Sequence, residues 1–529
     1  MTSKNPKDKA KIRKRKKPEW TLGPIPEDVF SPTNFSPEPK GPQAPNIPQI
    51  RRLEYLVTNP DLYEVADAVL PRKQPGTRGR TPHFPPYIYM IFLAAISVFG
   101  TALATEANLQ HPDMWNIVRK GVRLRLGDEE ADALPASGPL KHHWTEFQPK
   151  LLRILPRLRE ASRDIWIRQA LAQGLLAEDR PRGCWLRPHR SQVINVDATV
   201  VRPPSDQTEP VTIDEDTGEL RRHRVDPDAG IQIEGGDNAV YGKKIVTFSV
   251  RQAETPHSRV ILDVDSARHR SPEEDPEREE EASTACRMAN DILDRAPGVI
   301  AISIDTVWRG MHRAPLIRRG VIVYTPQHDG INPRPLQKYA YPGCVHDVYA
   351  AVGRSCERRI TVEGKTLYNP LPVRELLVRG SGTNWRFYHS VEIPCRKGPH
   401  RELIPVYETA EDRSIDPRTK RKKFNRCEHI RQIPPHTDFG DRLKGFRQDS
   451  ESNHSTLDYT HWDKRIPAYG AAGSLLLYIG YAWVNNSVAL GTATESALWP
   501  PPTTRPPNDQ PAVPAAADHH AAVLVGPPR

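Results

Sequence analysis

Three acidic residues, Asp197, Asp305 and Glu451, stand where a folded chain holds carboxylates rigidly. Asp197 follows the largely apolar run Val193-Ile194-Asn195-Val196 and precedes Ala198-Thr199-Val200-Val201. Asp305 ends a second run, Val299-Ile300-Ala301-Ile302-Ser303-Ile304. Glu451 lies one helical turn beyond Arg447 and opens a long stretch that reads as helix. All three acids are anionic at neutral pH, and crowding them is repulsive unless cations intervene. Two strands side by side, each ending in a carboxylate, with a third carboxylate on a facing helix, can hold two divalent cations. Mg2+ or Mn2+ is the expected pair, because hard carboxylate oxygens suit such ions and Mg2+ retains waters that leave room for a phosphate. A centre of this kind breaks and rejoins phosphodiester bonds. Taken singly, each acid is better explained by a surface carboxylate at the end of an element; the ordered trio carries the reading.

Several cationic and aromatic residues fit the same chemistry. Arg447 shares a helix face with Glu451, either as a bidentate phosphate ligand or as an intrahelical ion pair. Trp308, just past Asp305, either stacks on an unpaired base or belongs to the core. Lys243 and Lys244 interrupt a strand and touch a DNA backbone or face water. Arg119, Lys120 and Arg123 lie on a short basic helix after a break at Asn108 to Pro112. Helix, break, basic helix is the outline of a helix-turn-helix DNA reader, and also of many helix pairs that bind nothing. Cys344-x-His346 and Cys427-x-His429 lie towards the ends of one segment, with Cys356 and Cys395 between them. A structural zinc needs four converging ligands; the usual CxxC pairs are absent, so ordinary free thiols are the expectation.

The elements that must position these residues follow from the pattern of the chain. With 529 residues, 37% hydrophobic and 26% charged, it can bury a sizeable core and divide into two to four domains. A formal net charge of +10 points to a polyanionic partner, with double-stranded DNA as the default and a merely basic surface as the alternative. Six scattered cysteines form no disulfide framework and fit a reducing compartment. The run from Lys4 to Lys17 lacks the apolar core of a secretory signal, so a cytoplasmic location is expected. Tyr87 to Ala104 and Ile466 to Leu490 are long and uncharged, but recurring polar groups fit buried core helices, and no membrane role is expected.

Residues 1–47 read as a disordered basic arm, and 48–180 as a helical DNA-binding domain. Strands are expected at Ser191 to Val201, Tyr241 to Val250 and Arg259 to Ala267, the last two antiparallel across the Arg251 to Ser258 loop. The polar stretch Asp206 to Asp237 reads as turns. A helix through Ala285, Met288, Ile292 and Leu293, the strand ending at Asp305, a helix around Ala314 to Arg319 and the strand Val321 to Thr325 complete a βββαβαβ order. Residues 326–440 read as a β-rich insertion, with strand signals at Arg359–Glu363, Leu376–Arg379, Trp385–Ile393 and Leu403–Tyr407. Helix returns over Phe446 to Leu490, and 493–529 reads as a disordered Pro/Ala-rich tail. The expected fold class is α/β: a mixed sheet flanked by helices, made of 190–325 and 441–492, with a helical N-terminal domain and the insertion.

This order, with acids after the first and fourth strands and a third on a late helix, resembles the RNase H-like core of bacterial DDE insertion-sequence transposases. VDATVV (196–201) is similar to the family's first-acid motif, and DPDAG (226–230) with YGKKIVTFSV (241–250) to its DPDA…YGYK strand pattern. IDTVWRGMHRAPLIRRGVIVYTP (304–326) resembles the second-acid block, and RQDSE (447–451) the R-x3-E of the third-acid signature. A β-rich insertion before that glutamate resembles the branch that includes hairpin-forming, cut-and-paste enzymes. Lys444 stands where the signature has tyrosine and Asp458 where it has lysine; Lys464 is the candidate replacement in space. The resemblance implies that Asp197 bridges two metal ions, with Asp305 and Glu451 each serving one. It implies element-end cutting followed by strand transfer into target DNA, by a homodimer or higher oligomer that holds two ends. The alternatives are a catalytically inactive, transposase-derived DNA-binding protein, and an RNase H-like nuclease that cuts without joining.

Overall fold

The structure is a computed structural model describing residues 20–37, 45–70, 82–178, 184–214, 216–234, 238–252, 255–268, 279–328, 330–360, 366–415, 417–418, 420 and 424–498. The first 19 residues of the expected basic arm, and the expected tail beyond 498, lie outside this set. The fold is mixed α/β.

The first strand corrects the expected arm. β1 (Trp20–Leu22) pairs in parallel with a strand of the insertion, Phe30 is fully buried, and Asp28 forms a buried ion pair with Arg354. Residues 20–37 are therefore a strap. They run on to the helix that carries Glu451, where Ser31 Oγ accepts from Asp438 N at 3.1 Å and the Phe30 carbonyl from Phe439 N at 3.0 Å.

A helical domain follows: α1 (Gln49–Thr58), α2 (Pro60–Val69), α3 (Pro86–Phe99), α4 (Ala102–Gln110), α5 (Pro112–Leu126), α6 (Asp128–Asp132), α7 (Lys141–Arg153) and α8 (Leu155–Ala172). Asn59 separates α1 from α2 and caps α2 by accepting from Asp61 N at 3.0 Å. α3 is buried without interruption from Tyr87 to Val98, and the chain bends by 108° into α4 at Gly100, where φ is +92°. A helix apolar all round must be enclosed by others. Here the final helix packs on α3 and α1. Among the described residues no single helix is long and apolar enough to cross a membrane.

The central strands are β2 (Val193–Val201), the hairpin β3 (Val211–Ile213) and β4 (Leu220–Arg222), β5 (Gly230–Glu234), β6 (Asn238–Val250) and β7 (Val260–Ser266). After them come α9 (Glu281–Leu293), β8 (Ala301–Ser303), α10 (Gly310–Arg318) and β9 (Ile322–Tyr324). The polar stretch expected to be turns thus supplies a hairpin and one strand of the sheet. The sheet runs β5-β6-β2-β8-β9, with β7 also on β6. β6 is antiparallel to β2, β5 and β7, whereas β2, β8 and β9 are parallel. The β6–β7 pairing is the antiparallel one expected from sequence.

The insertion forms β10 (Arg334–Tyr341), β11 (Cys344–Ala351), β12 (Arg354–Ile360), β13 (Thr366–Pro370), β14 (Val373–Arg379), β15 (Arg386–Ile393) and β16 (His400–Pro405). They make a sheet β1-β13-β12-β11-β10 and a second sheet β14-β15-β16. The chain returns through α11 (Arg426–His429) to α12 (Asp438–Thr460) and α13 (Ala471–Leu498).

α12 and α13 cover one face of the central sheet. Ser303 Oγ donates to the Leu443 carbonyl of α12 at 3.1 Å, and Thr247 Oγ1 to Tyr478 Oη of α13 at 3.0 Å. On β2, Val196 and Val200 point the other way, and Val196 joins the apolar cluster that holds Ala285, Met288 and Ile292 of α9.

Where α13 crosses α3, a Cβ on Gly480 would lie 2.8 Å from the Leu93 carbonyl oxygen, too close for backbone to accommodate. Gly480→Val is therefore expected to cost about 1–3 kcal/mol or more, as overpacking does. Denaturant unfolding of the full chain measures it, and unchanged stability would show that α13 does not sit this close to α3.

Candidate functional site

The register of two parallel strands sets the site. Val193, Ile194 and Asn195 of β2 pair with Ala301, Ile302 and Ser303 of β8. Two residues further along each chain come Asp197 and Asp305. Both have the parity of Asn195 and Ser303, so they emerge on the face covered by α12, side by side on chains about 4.8 Å apart where strands pair. Beyond Asn195 and Ser303 the pairing of β2 with β8 ends, and a crevice opens at the carboxyl ends of the parallel strands. In α/β sheets this is where ligands bind.

Each acid is anchored by its own backbone and its neighbours. Asp197 Oδ1 accepts from Ala198 N at 3.0 Å, and Asp305 Oδ1 from Thr306 N at 2.6 Å. The Asp305 carbonyl accepts from Thr325 Oγ1 at 2.6 Å, and Ile304 N donates to the Tyr324 carbonyl at 3.1 Å, so the segment is pinned to the end of β9. Tyr478 lies beneath Asp197 beside Thr247. Burial pushes its phenol well above the ordinary range, so it stays neutral.

α12 runs across both acids. Leu443, Arg447 and Glu451 follow one another at four-residue spacing and share one stripe of the helix. Leu443 sits over Ser303, and Arg447 Nη1 lies 3.4 Å from Asp305 Oδ2. Glu451 is the next turn of this stripe; its side chain lies outside the described residues.

Lys464 enters from the connection that follows. Asp463 and Lys464 both adopt left-handed backbone, with φ of +57° and +52°, a costly conformation for residues other than glycine. The end of β2 holds it in place. Arg202 N donates to the Lys464 carbonyl at 2.9 Å, Ile466 N to the Arg202 carbonyl at 3.1 Å, and Arg202 pairs with Asp463.

These residues line one cleft of about 480 Å³, which gathers Asp197, Asp305, Arg447 and Lys464 with Lys244 and Glu281. Lys244 Nζ is 2.7 Å from Glu281 Oε2. The polar lining is thus mixed in sign. Its candidate metal donors are carboxylate oxygens; no sulfur or imidazole lines it among the described residues. That donor set fits Mg2+ or Mn2+.

Two sequence assignments are corrected here. Trp308 is fully buried and its Nε1 donates to the Ala282 carbonyl at 3.1 Å, so it is a core residue and not a base-stacking platform. Lys243 is 1% exposed and ion-paired with Asp226, so it does not reach a DNA backbone. Adjacent residues of a strand face opposite ways, and only Lys244 opens to the cleft. Arg119 and Lys120 lie on α5, away from the cleft. Arg119 is 3.6 Å from Asp132, and Arg123 is 2.7 Å from both Asp128 and Asp132, so acidic α6 meets much of the basic face; Lys120 is exposed.

The aromatic that sequence spacing missed is Trp462, 82% exposed, with Tyr459 also exposed one turn before it. Both lie at the end of α12, next to Lys464. Their signal in the sequence was their place between the late acid and the late lysine.

No protein-family model matches this chain, and no curated protein matches it.

The two neighbouring lysines are expected to separate cleanly on mutation. Lys243→Ala leaves Asp226 buried without its cation and should cost about 3–5 kcal/mol of stability. Lys244→Ala removes a partly exposed pair and should cost under about 1 kcal/mol. Chemical denaturation of both variants measures this; equal losses would contradict the burial difference.

Proposed function

We propose that this chain is a DNA transposase whose central sheet is an RNase H-like core, cutting element ends and joining them to target DNA. The observation that carries the reading is the placement of Asp197 and Asp305 two residues past the last pairing of the adjacent parallel strands β2 and β8, beneath the helix bearing Arg447 and Glu451. The strand order β7-β6-β2-β8-β9, antiparallel for the first three and parallel for the last three, supports the same reading.

Asp197 and Asp305, with Glu451 as the third ligand by resemblance, would hold two divalent cations. When bound, such ions supply activation of the attacking oxygen and stabilisation of the leaving one. The chain's own residues bind and orient. Arg447, Lys464 and Lys244 line the cleft from three directions, where their cationic ends can hold phosphate oxygens in line for attack. The reaction is in-line displacement at phosphorus, first by water to nick the element end, then by the freed 3′-hydroxyl on target DNA. Trp462, 82% exposed and two residues before Lys464, would stack on a base unpaired at the cut end. Holding two ends at once calls for a homodimer or higher oligomer on double-stranded DNA.

The test is a strand-transfer assay with Mg2+ on DNA ends taken from the sequences flanking the gene. Asp197→Ala, Asp305→Ala and Glu451→Ala should each lower joining by about a thousandfold, or about 4 kcal/mol of barrier, while duplex binding stays intact. Joining by all three variants at the wild-type rate would end the proposal, and nicking without joining by the wild type would leave only a nuclease. Trp462→Ala should weaken binding of a single-stranded end by about 1–3 kcal/mol and leave duplex binding unchanged, as read by fluorescence anisotropy.

A further inference from the structure

Far from the cleft in sequence, two turns of the insertion bring together four side chains that the chemistry above leaves unused. Cys344, His346, Cys395 and His400 each offer one ligand atom, and the four atoms all lie within 4.8 Å of one another. Cys344 and His346 are alternate residues of β11, so they share a face of that strand. Cys395 follows β15 and His400 opens β16, so this pair brackets a turn. Gly343 and Gly398, with φ of +79° and +108°, shape the two loops.

The atoms are arranged as a metal would need them. Cys344 Sγ is 3.3 Å from His400 Nε2. A tetrahedral zinc site, with sulfur near 2.3 Å and nitrogen near 2.0 Å from the ion, has a sulfur-to-nitrogen edge of about 3.5 Å. His346 Nδ1 is 2.9 Å from Glu357 Oε1, while its Nε2 is buried without a hydrogen-bond partner. The residue is only 7% exposed. Carboxylate on one ring nitrogen and metal on the other is the usual setting of a zinc-ligating histidine. The His400 ring is held flat on Tyr341, with centroids 3.7 Å apart and planes within 5°, and Tyr341 in turn bonds Glu402. Lys397 N donates to Cys395 Sγ at 3.5 Å, which favours the thiolate a metal requires.

A disulfide between Cys344 and Cys395 would account for neither histidine and would leave His346 Nε2 buried and unsatisfied. In the sequence, Cys344 and His346 lie towards one end of this segment and Cys427 and His429 towards the other, with Cys356 and Cys395 between them, and free thiols are the expectation. The structure instead buries Cys427 in the core and stacks His429 on Phe424, and Cys356 is buried elsewhere in the insertion.

We propose that Cys344, His346, Cys395 and His400 bind one zinc ion that pins the β10–β11 turn to the β15–β16 turn, and so one sheet of the insertion to the other. The site is closed by four protein ligands, which marks it as structural. On binding, the hydrated Zn2+ loses its waters and the two thiols release their protons to solvent, with no change of oxidation state.

The test uses the full chain purified without chelator. Elemental analysis should find about one zinc per chain. Exchange for cobalt should give the visible bands of a tetrahedral ion with thiolate charge transfer. Cys344→Ser and Cys395→Ser should each lose at least nine-tenths of the zinc, whereas Cys356→Ser and Cys427→Ser should keep it. Glu357→Gln retains all four ligands and should bind zinc about 10–100-fold more weakly, a readout that survives if the cysteine variants fail to fold. The proposal is overturned by wild-type chain that takes up neither zinc nor cobalt, by zinc that persists in the Cys344→Ser/Cys395→Ser double variant, or by a Cys344–Cys395 disulfide in non-reduced peptides. These outcomes are independent of DNA joining, so the site and the proposed activity stand or fall separately.

Discussion

Three backbone pairings decide where Asp197 and Asp305 stand relative to each other. The contact of β2 with β8 covers only Val193, Ile194 and Asn195 against Ala301, Ile302 and Ser303. A slip of one residue in either strand would turn one acid to the opposite face. The register is fixed from outside as well as within. Ile300 N donates to the Gln192 carbonyl at 3.0 Å, Ile322 N to the Ile300 carbonyl at 2.9 Å, and Val193, Ile194, Ala301 and Ile302 are wholly buried. Immediately below the acids sits Asn195, fully buried, with neither amide atom hydrogen-bonded. An unsatisfied buried amide costs about 1–3 kcal/mol per polar group.

Charge in the structure divides into two kinds. In the cleft, cations and carboxylates face each other at an open surface. Around Asp226 they are locked. Its carboxylate takes Lys243 Nζ, Gly470 N, Asp228 N and Ala229 N, while Asp228 Oδ2 accepts from Ala471 N at 2.6 Å. The DPDAG segment is therefore a clasp on the amino end of α13, where backbone amides and the helix dipole favour anions. Together with the Arg202 contacts it fixes both ends of the connection between α12 and α13. That connection carries Lys464, so a motif that makes no contact with the cleft helps to place a cation inside it.

Much of this was legible in the chain. β2, β8 and β9 lie in runs that are mostly apolar, and β6 and β7 alternate well enough to be paired across their loop. Asp197 and Asp305 stand out only as members of an ordered set with Glu451, since either alone fits a surface carboxylate. Other features were not legible. β10 is largely exposed, begins Arg334-Pro335 and carries polar residues throughout, so its sequence resembles a loop. β1 spans three residues and exists only because β13 offers an edge. Spacing from an acid cannot separate a buried tryptophan such as Trp308 from an exposed one such as Trp462. Alternation shows that one of Lys243 and Lys244 faces inward, but not which. The partners of Cys344 and His346 depend on which two turns meet, a fact of tertiary structure with no local signature.

The insertion also bears on the acids themselves. The chain leaves the central sheet after Tyr324 and returns to it just before α12, so the helix over Asp305 is placed by whatever the insertion does at its end. Two residues perform the return. The Gln432 side chain accepts from Val323 N at 2.9 Å and donates to the Val321 carbonyl at 3.0 Å, closing the open edge of β9 as another strand would. Arg431, buried beside it, donates to the Thr325 carbonyl at 2.9 Å and to the Glu428 carbonyl at 2.9 Å. The Gln432 carbonyl in turn lies 2.9 Å from His389 Nε2 on β15. β15 ends next to Cys395, so the turn that offers zinc ligands and the strand that anchors Gln432 belong to one sheet. A loosened insertion would therefore be felt at Asp305 through backbone geometry. That makes these strands part of the scaffold of the cleft rather than an appendage carried beside it.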